Sequence, residues 1–223
     1  MKIIVFGNAE NADALKNIIP NHYPITVKDE ADASLRNYDI ILDTIFDSNL
    51  NNLQHYATLE NKIVVVSAAK IQLTQVVAEF SGEVKCHLIG MNMLPTFIDR
   101  KLAELTIASG KDAPVVEQLA TKLQWNIRVV SDRVGMVTPR IIFMIINEAC
   151  YMLQEGTAVV KDIDTAMKLG TNYPLGPFEW ADKIGIKNVY ELLVALYNDT
   201  KEERYKICPL LKTKYLKGEK FYE

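Results

Sequence analysis

The segment "GNAENA", residues 7–12, directly follows the apolar run "KIIVF", where a dinucleotide-binding fold has its GxGxxG turn. Gly7 holds the first glycine position, and Ala9 and Ala12 replace the second and third. Ala is an accepted variant at the third position, but a Cβ at the second moves a diphosphate outward. Asp29 lies 22 residues after Gly7, about where an acid would hold a ribose hydroxyl, although it could equally cap a helix. The pattern predicts either weakened NAD binding or a tight turn without a ligand.

A second candidate site lies in "IGMNMLPTFIDRKLAEL", residues 89–105, where a strand-like run meets a Pro-containing turn and a second run with Glu104. Such a rim suits proton transfer, yet it contains no His, Cys or Ser. Asn92 can donate a hydrogen bond but has no usable basic site near neutral pH. His87 precedes Asn92 by five residues, and an odd separation on a strand predicts opposite faces of the sheet. Glu104 is predicted either to orient a catalytic partner or to be an exposed carboxylate at a strand start.

The composition limits the classes of function. A chain of 223 residues with 49% hydrophobic and 24% charged residues can form two domains with separate cores. The net charge of −3, with Lys and Arg scattered, argues against a nucleic-acid partner. The three widely spaced Cys form no CxxC pair, so we predict free thiols in a reducing cytoplasm and no metal site. The run "RIIFMIINEACYML" is broken by Asn147 and Glu148, which predicts a buried helix and no membrane association.

The chain changes character near its middle. Seven short apolar runs alternate with helix-like patterns over the first part of the chain, which predicts an α/β fold with a doubly wound, largely parallel Rossmann-like sheet. From about Pro139 the spacing is helical, which predicts a second, all-helical domain. We therefore predict domains over residues 1–131 and 132–223. Three helices are expected in the second, with "TNYPLGPFEW" as a connection. The run "PRIIFMIINEACYMLQEG" is the first of these helices, with Pro139 in its first turn.

The second half carries spaced motifs that resemble the C-terminal domain of 3-hydroxyacyl-CoA dehydrogenases. That family shows a long helix with Asn-Glu-Ala, then Asp-Ile-Asp and Gly-Pro-Phe. This chain has the matching residues in order: Asn147-Glu148-Ala149, Asp162-Ile163-Asp164 and Gly176-Pro177-Phe178-Glu179. The resemblance extends backward through "DIILDTIFDSNLNNLQHYATLENKIVVVSA" and covers nearly the whole chain. It implies an N-terminal NAD-binding domain, a helical domain that forms a homodimer, and oxidation of a 3-hydroxyacyl-CoA.

The same resemblance places the family's functional residues. Asn92 stands at the catalytic His and Glu104 at the Glu that orients it, so the base is replaced and the orienting acid is kept. The polar cluster that follows the family's "VVVS"-like strand is reduced to Ser67, and the Asn that opens the long helix beside Arg140 is Pro139. These positions would contact the acyl-CoA substrate.

The acids of the cofactor site follow from the resemblance as well. Asp43 and Asp47 stand where the family tends to carry acids, so Asp47 joins Gly7, Ala9, Ala12 and Asp29 as a predicted cofactor residue. A helix cap or a solvated loop explains Asp43 and Asp47 equally well. The short segment "DEADASLRNY" has no room for the helical pair that helps the family to receive the CoA thioester.

Two functions remain in view. The first is a degenerate, dimeric family member that binds a nucleotide, an acyl thioester or a protein with weak or no hydride transfer. The second is an active NAD-dependent 3-hydroxyacyl-CoA or 3-hydroxybutyryl-CoA dehydrogenase of fatty-acid metabolism. The changes at Ala9, Asn92 and Pro139 and the short segment favour the first.

Overall fold

The computed structural model describes residues 1–29, 31, 33–100 and 102–222. The chain forms two compact units, Met1–Met136 and Val137–Glu223. The division falls five residues after the predicted end of the first domain at residue 131. The two units are described separately below.

The first unit contains a seven-stranded sheet in the order β2-β1-β3-β4-β5-β6-β7. The first five strands are parallel, β6 runs antiparallel to β5, and β7 is parallel to β6. The doubly wound, largely parallel α/β fold predicted from the sequence is therefore confirmed, and each predicted run contains one strand. The strands are β1 Ile3–Phe6, β2 Ile25–Lys28, β3 Ile40–Asp43, β4 Ile63–Ser67, β5 His87–Met91, β6 Leu102–Ile107 and β7 Asn126–Val129.

Four α-helices cover the two faces of this sheet in the described part of the unit. Successive side chains of a strand point to opposite faces, so β1 sends Ile3 and Val5 to one core and Ile4 and Phe6 to the other. The first core packs against the first and fourth helices, and the second core packs against the other two. The helices are α1 Ala9–Ile18, α2 Leu53–Tyr56, α3 Leu73–Glu79 and α4 Ala113–Leu123.

The second unit is helical, with α5 Thr138–Gln154, α6 Val160–Thr171, α7 Pro177–Ile184, α8 Ile186–Thr200 and α9 Pro209–Lys217. The sequence predicted three of these. The interpretation of "TNYPLGPFEW" as a connection was wrong in its second half, because Gly176 is the N-cap of α7 and Pro177 begins that helix. Proline is favoured in a first turn, where its missing N–H leaves no hydrogen bond unmade, so the same residues signal a helix start. The last helix, which Pro209 begins, was also missed.

Residues of the spaced motifs in the second unit make hydrogen bonds that hold its helices together. The amide of Asn147 on α5 donates to the carbonyl of Lys206 at 2.9 Å and accepts from the N–H of Cys208 at 2.9 Å. Asp164 on α6 accepts from the N–H groups of Phe178 and Glu179 at the start of α7. Among the described residues, none of the helices is both long and apolar enough to cross a membrane.

Candidate functional site

The parallel strands bring the predicted cofactor and catalytic positions to one edge of the sheet. Gly7 follows β1, Asp29 follows β2, Ser67 ends β4 and Asn92 follows β5, all at the carboxyl ends. Because β1 lies between β2 and β3, the connections turn in opposite directions at this point. Ligands of doubly wound sheets bind at such a switch point. The topology thus collects residues that are far apart in sequence.

Gly7 meets the steric requirement of the first glycine position. Its φ is +139°, a conformation that side chains rarely adopt, and a Cβ there would collide with Oγ1 of Thr44. That hydroxyl donates to the carbonyl of Phe6 at 2.9 Å, which fixes the close approach of the two segments. The conformation and packing of this turn therefore require a glycine whether or not a cofactor binds.

The start of α1, where the diphosphate of NAD would bind, is partly satisfied by the chain itself. The side chain of Asn8 accepts a hydrogen bond from the N–H of Asn11 at 2.8 Å, and Glu10 adds a carboxylate to the first turn. Ala9 is exposed as the first helical residue, while Ala12 is buried at 1% exposure in the core. A self-capped, acidic helix start offers less to an anion than an open glycine-rich one.

The remaining predicted acids differ in environment. Asp29 is exposed after β2, as a ribose-binding acid would be. Asp43 is fully buried at the end of β3, where it accepts from the amide of Asn52 at 2.8 Å and the hydroxyl of Tyr56 at 2.7 Å. Asp47 accepts from the hydroxyl of Ser48 at 3.4 Å. A solvated loop is therefore wrong for Asp43, because its carboxylate holds the turn after β3 together.

Burial raises the pKa of Asp43 above its ordinary value, 3.8, against the opposing effect of its hydrogen bonds. Between 3.8 and the raised value, the unfolded chain loses this proton while the folded protein keeps it. Asp43 therefore contributes most stability below pH 3.8, and this contribution is lost as the pH rises through the folded pKa. We therefore expect the free energy of unfolding of Asp43→Asn to increase relative to that of wild type as the pH rises from 3.8 through the folded pKa of Asp43. Urea unfolding at a series of pH values measures this difference. If Asp43→Asn instead lost stability relative to wild type as the pH rises, the raised pKa would be contradicted.

Asn92 and Glu104 face each other across the antiparallel pair of β5 and β6. The N–H of Asn92 donates to the carbonyl of Glu104 at 3.1 Å, and the two residues are only 4% and 7% exposed. The amide oxygen of Asn92 lies 3.4 Å from the N–H of Leu94, which donates to it. The interpretation of Glu104 as an exposed carboxylate is therefore wrong, and the two family positions do lie together.

Glu104 lies beside a guanidinium. Burial lowers the pKa of Arg100, and the nearby carboxylates of Asp99 and Glu104 oppose that change. Arg100 is held by a 2.6 Å hydrogen bond from its Nε to the carbonyl of Thr96, with its guanidinium carbon 4.5 Å from the ring centre of Phe97. Arg100 was not among the residues predicted from the sequence. The available signal was a positive charge four residues before Glu104. Lys101, in the same stretch, lies outside the described residues.

His87 lies on the face of the sheet opposite Asn92. It shares the parity of Ile89 and Met91, which belong to the core beneath α1 and α4, whereas Leu88 belongs to the other core. The prediction from odd spacing is confirmed. His87 therefore lies away from the predicted catalytic position of Asn92.

Ser67 is 2% exposed at the end of β4. Beyond it, Asp132 accepts from the N–H groups of Leu73 and Thr74 at 2.9 and 2.7 Å and thereby caps α3. The hydroxyl of Thr106 on β6 lies 3.4 Å from the same carboxylate. Asp132, the first residue of the predicted second domain, fixes the helix that follows Ser67.

The two predicted positions of the second unit lie in the first turn of α5. Pro139 is buried and follows Thr138, the first residue of the helix, as predicted for that turn. The guanidinium carbon of Arg140 lies 5.9 Å from the ring centre of Tyr205. A proline at this position supplies no side-chain hydrogen bond.

Between β2 and β3, the described residues form one short 3₁₀ turn, Ala33–Asn37. Glu30 and Asp32 of this connection lie outside the described residues. The described part of the connection holds no α-helical pair.

Residues 135–221 match the family described as 3-hydroxyacyl-CoA dehydrogenase, C-terminal domain. The chain is 32% identical over 166 residues to the 3-hydroxybutyryl-CoA dehydrogenase of Bradyrhizobium diazoefficiens, covering 73% of this chain and 56% of that protein. It is 29% identical over 188 residues to the probable 3-hydroxybutyryl-CoA dehydrogenase of Bacillus subtilis, covering 81% and 64%. The chain belongs to the 3-hydroxyacyl-CoA dehydrogenase family. It spans less than two thirds of either of these relatives.

Solved dehydrogenases of this family share the fold. The 3-hydroxybutyryl-CoA dehydrogenase of Escherichia coli superimposes with a TM-score of 0.81 at 15% identity, over 100% of this chain and 59% of that one. The (S)-3-hydroxybutyryl-CoA dehydrogenase of Ralstonia eutropha gives 0.75 at 21% identity, over 97% and 94%. At these identities the likeness establishes the fold, not the activity.

Proposed function

We propose that this chain is a degenerate 3-hydroxyacyl-CoA dehydrogenase-like protein, with weak or absent NAD-dependent hydride transfer and a retained binding or dimer role. Asn92 at the position of the base carries the proposal. A general base must accept the hydroxyl proton as hydride leaves, and a carboxamide cannot accept it near neutral pH. Glu104 has Arg100 as a charged neighbour and no imidazole to orient at Asn92.

Weakened binding of NAD is part of this proposal. The cap that Asn8 forms on α1 uses one N–H of the helix start, and the carboxylate of Glu10 repels a diphosphate. Gly7 and Asp29 still suit the adenosine half of the cofactor. When bound, NAD would accept the hydride, and these residues would only position it.

The retained role that we propose is association of two copies through the second unit. Ile141 on α5 is 55% exposed and Leu169 on α6 is 82% exposed, so both offer apolar surface to a second copy. We expect a dimer in sedimentation equilibrium, and Ile141→Lys with Leu169→Lys should shift it toward monomer.

We also place the protein in a reducing cytoplasm, because Cys86, Cys150 and Cys208 are all free and buried.

Two measurements test the proposal together. NADH binding is followed by its fluorescence, and NADH oxidation is then followed with acetoacetyl-CoA as acceptor. Loss of a general base lowers a rate by about 10²–10⁴, so we expect turnover at least that far below a dehydrogenase with an intact His. Micromolar NADH binding together with turnover at the rate of an intact dehydrogenase would overturn the proposal of a degenerate family member and favour the alternative. That alternative is an active 3-hydroxybutyryl-CoA dehydrogenase, as the names of the relatives suggest.

Restoring the base tests how much Asn92 alone accounts for. We expect Asn92→His to raise NADH oxidation by less than about tenfold, because Ala9 and Pro139 remain changed. The matched control is Asn92→His with Glu104→Gln, which should remove any gain that depends on orientation of the new imidazole. A recovery of about 10²-fold or more in the single variant would show that the base was the main loss.

A further inference from the structure

A separate groove lies at the amino ends of the parallel strands, on the edge of the sheet away from Gly7 and Asn92. It has a volume of about 620 Å³ and is bordered by the starts of β3, β4 and β5 and by α4. That volume is within the usual range for small-molecule sites. The dehydrogenase-like site at the carboxyl edge makes no use of it.

One end of the groove contains a histidine oriented by a buried acid. Nδ1 of His87 lies 2.9 Å from Oδ1 of Asp112, and the two side chains are 28% and 2% exposed. A carboxylate only accepts hydrogen bonds, so Nδ1 carries the hydrogen and Nε2 of the neutral ring is an acceptor. Within the described part of the chain, no group hydrogen-bonds to Nε2. This arrangement presents an oriented acceptor to the groove.

The other end of the groove contains a lysine. Val115, Gln118 and Lys122 are spaced by three and four residues, so they line the groove from one face of α4. Lys122 follows Asp112 by ten residues, which separates the two backbone positions by about 15 Å along a helix axis. Among the described residues, Lys122 has no ion-pair partner.

The rest of the lining leaves the positive charge of Lys122 available to a ligand. Asp39, the acid of the groove, accepts from the N–H of Lys2 at 2.8 Å and lies 4.0 Å from Nζ of Lys62. Ile63 and Val115, each 9% exposed, provide an apolar floor between the two ends. The groove is therefore apolar in the middle, cationic at one end and hydrogen-bond accepting at the other.

We propose that this groove binds an elongated organic acid whose carboxylate contacts Lys122 and whose distal hydroxyl donates to Nε2 of His87. The apolar chain between the two groups would pack on Ile63 and Val115. This site is independent of the proposed loss of hydride transfer, because it uses other residues at the other edge of the sheet.

Three six-carbon probes test both contacts by NMR titration of the full chain near pH 8. We expect 6-hydroxyhexanoate to shift the amide signals of Val115 and Gln118 saturably, with a Kd on the order of 1 mM. Hexanoate, which lacks the hydroxyl, should bind about two- to tenfold more weakly. 1,6-Hexanediol, which lacks the carboxylate, should bind about two- to fivefold more weakly.

Two variants assign the contacts. His87→Asn keeps an N–H donor for Asp112 but removes Nε2, so 6-hydroxyhexanoate should no longer bind more tightly than hexanoate. Lys122→Met keeps the aliphatic part of the side chain but removes its charge. In this variant 6-hydroxyhexanoate should no longer bind more tightly than 1,6-hexanediol. His55→Asn and Lys212→Met, exposed residues remote in sequence, should change neither preference. Absence of saturable shifts, equal binding of the three probes, or a hydroxyl preference that survives His87→Asn would overturn the proposal.

Discussion

Replacing Asp164 by Ala is expected to lower the free energy of unfolding of the second unit by about 3–5 kcal/mol. The carboxylate is 1% exposed and accepts from the N–H groups of Phe178 and Glu179 at 2.8 and 3.0 Å and from the hydroxyl of Tyr222 at 2.8 Å. Ala would leave the N–H groups in the first turn of α7 without an acceptor. Urea unfolding followed by Trp180 fluorescence, in a Trp125→Phe background, reports this unit, since the chain has 2 Trp.

Three further variants separate the contributions. Asp162→Ala changes the exposed acid of the same Asp-Ile-Asp motif and should cost about 0.5 kcal/mol or less. Tyr222→Phe removes one hydrogen bond and should cost about 1 kcal/mol, and Asp164→Asn should lie between that variant and Asp164→Ala. If Asp164→Ala cost no more than Asp162→Ala, the capping role of Asp164 would be wrong.

Replacing Gly7 by Ala is expected to destabilise the first unit by about 2–5 kcal/mol. Two effects add: a φ of +139° that Ala rarely adopts, and a collision of the new Cβ with Oγ1 of Thr44. Unfolding followed by Trp125 fluorescence in a Trp180→Phe background measures the loss. The expected cost is independent of any cofactor, because both causes lie within the protein.

The two effects can be separated with Thr44. In a Thr44→Ala background the collision with Oγ1 is gone and the nearest remaining atom is Cβ of residue 44 at 3.2 Å, so Gly7→Ala should cost mainly the backbone strain, about 1–3 kcal/mol. Gly110→Ala is the matched control, because a Cβ there meets nothing within 4 Å, and its effect should stay within about 0.5 kcal/mol. If Gly7→Ala lowered the free energy of unfolding equally with and without Thr44, the segment that contains Thr44 would be able to move away from the new Cβ at little cost.

The turn at Gly7 also illustrates what a motif does and does not predict. The sequence identified the strand-to-helix turn correctly and left its ligand open. The structure explains the glycine by Thr44, which is 37 residues away in sequence, so retention of Gly7 is not by itself a sign of NAD binding. Asn8, which the sequence analysis passed over, caps the helix.

In the helical unit, too, the sequence predicted some elements and missed others. Periodicity was sufficient to predict α5, α6 and α8, because an amphipathic helix must place apolar residues every three or four positions. It missed α7 and α9, since both are short, and Pro177 at the start of α7 was taken for part of a connection. Likewise, nothing in Asp-Ile-Asp distinguishes Asp162 from Asp164, because burial depends on the helix that packs against them.

The sequence alone determined the alternation of strands and helices, the family motifs, the presence of Asn92 and the absence of a His in the predicted catalytic stretch, and the strand face of His87. These follow from residue identity and from the local periods of 2 and 3.6 residues. Only the tertiary structure decided that Glu104 lies beside Arg100, that Asp43 is buried and that His87 pairs with Asp112 in a groove. Burial and electrostatic environment arise from packing between elements that local spacing does not encode.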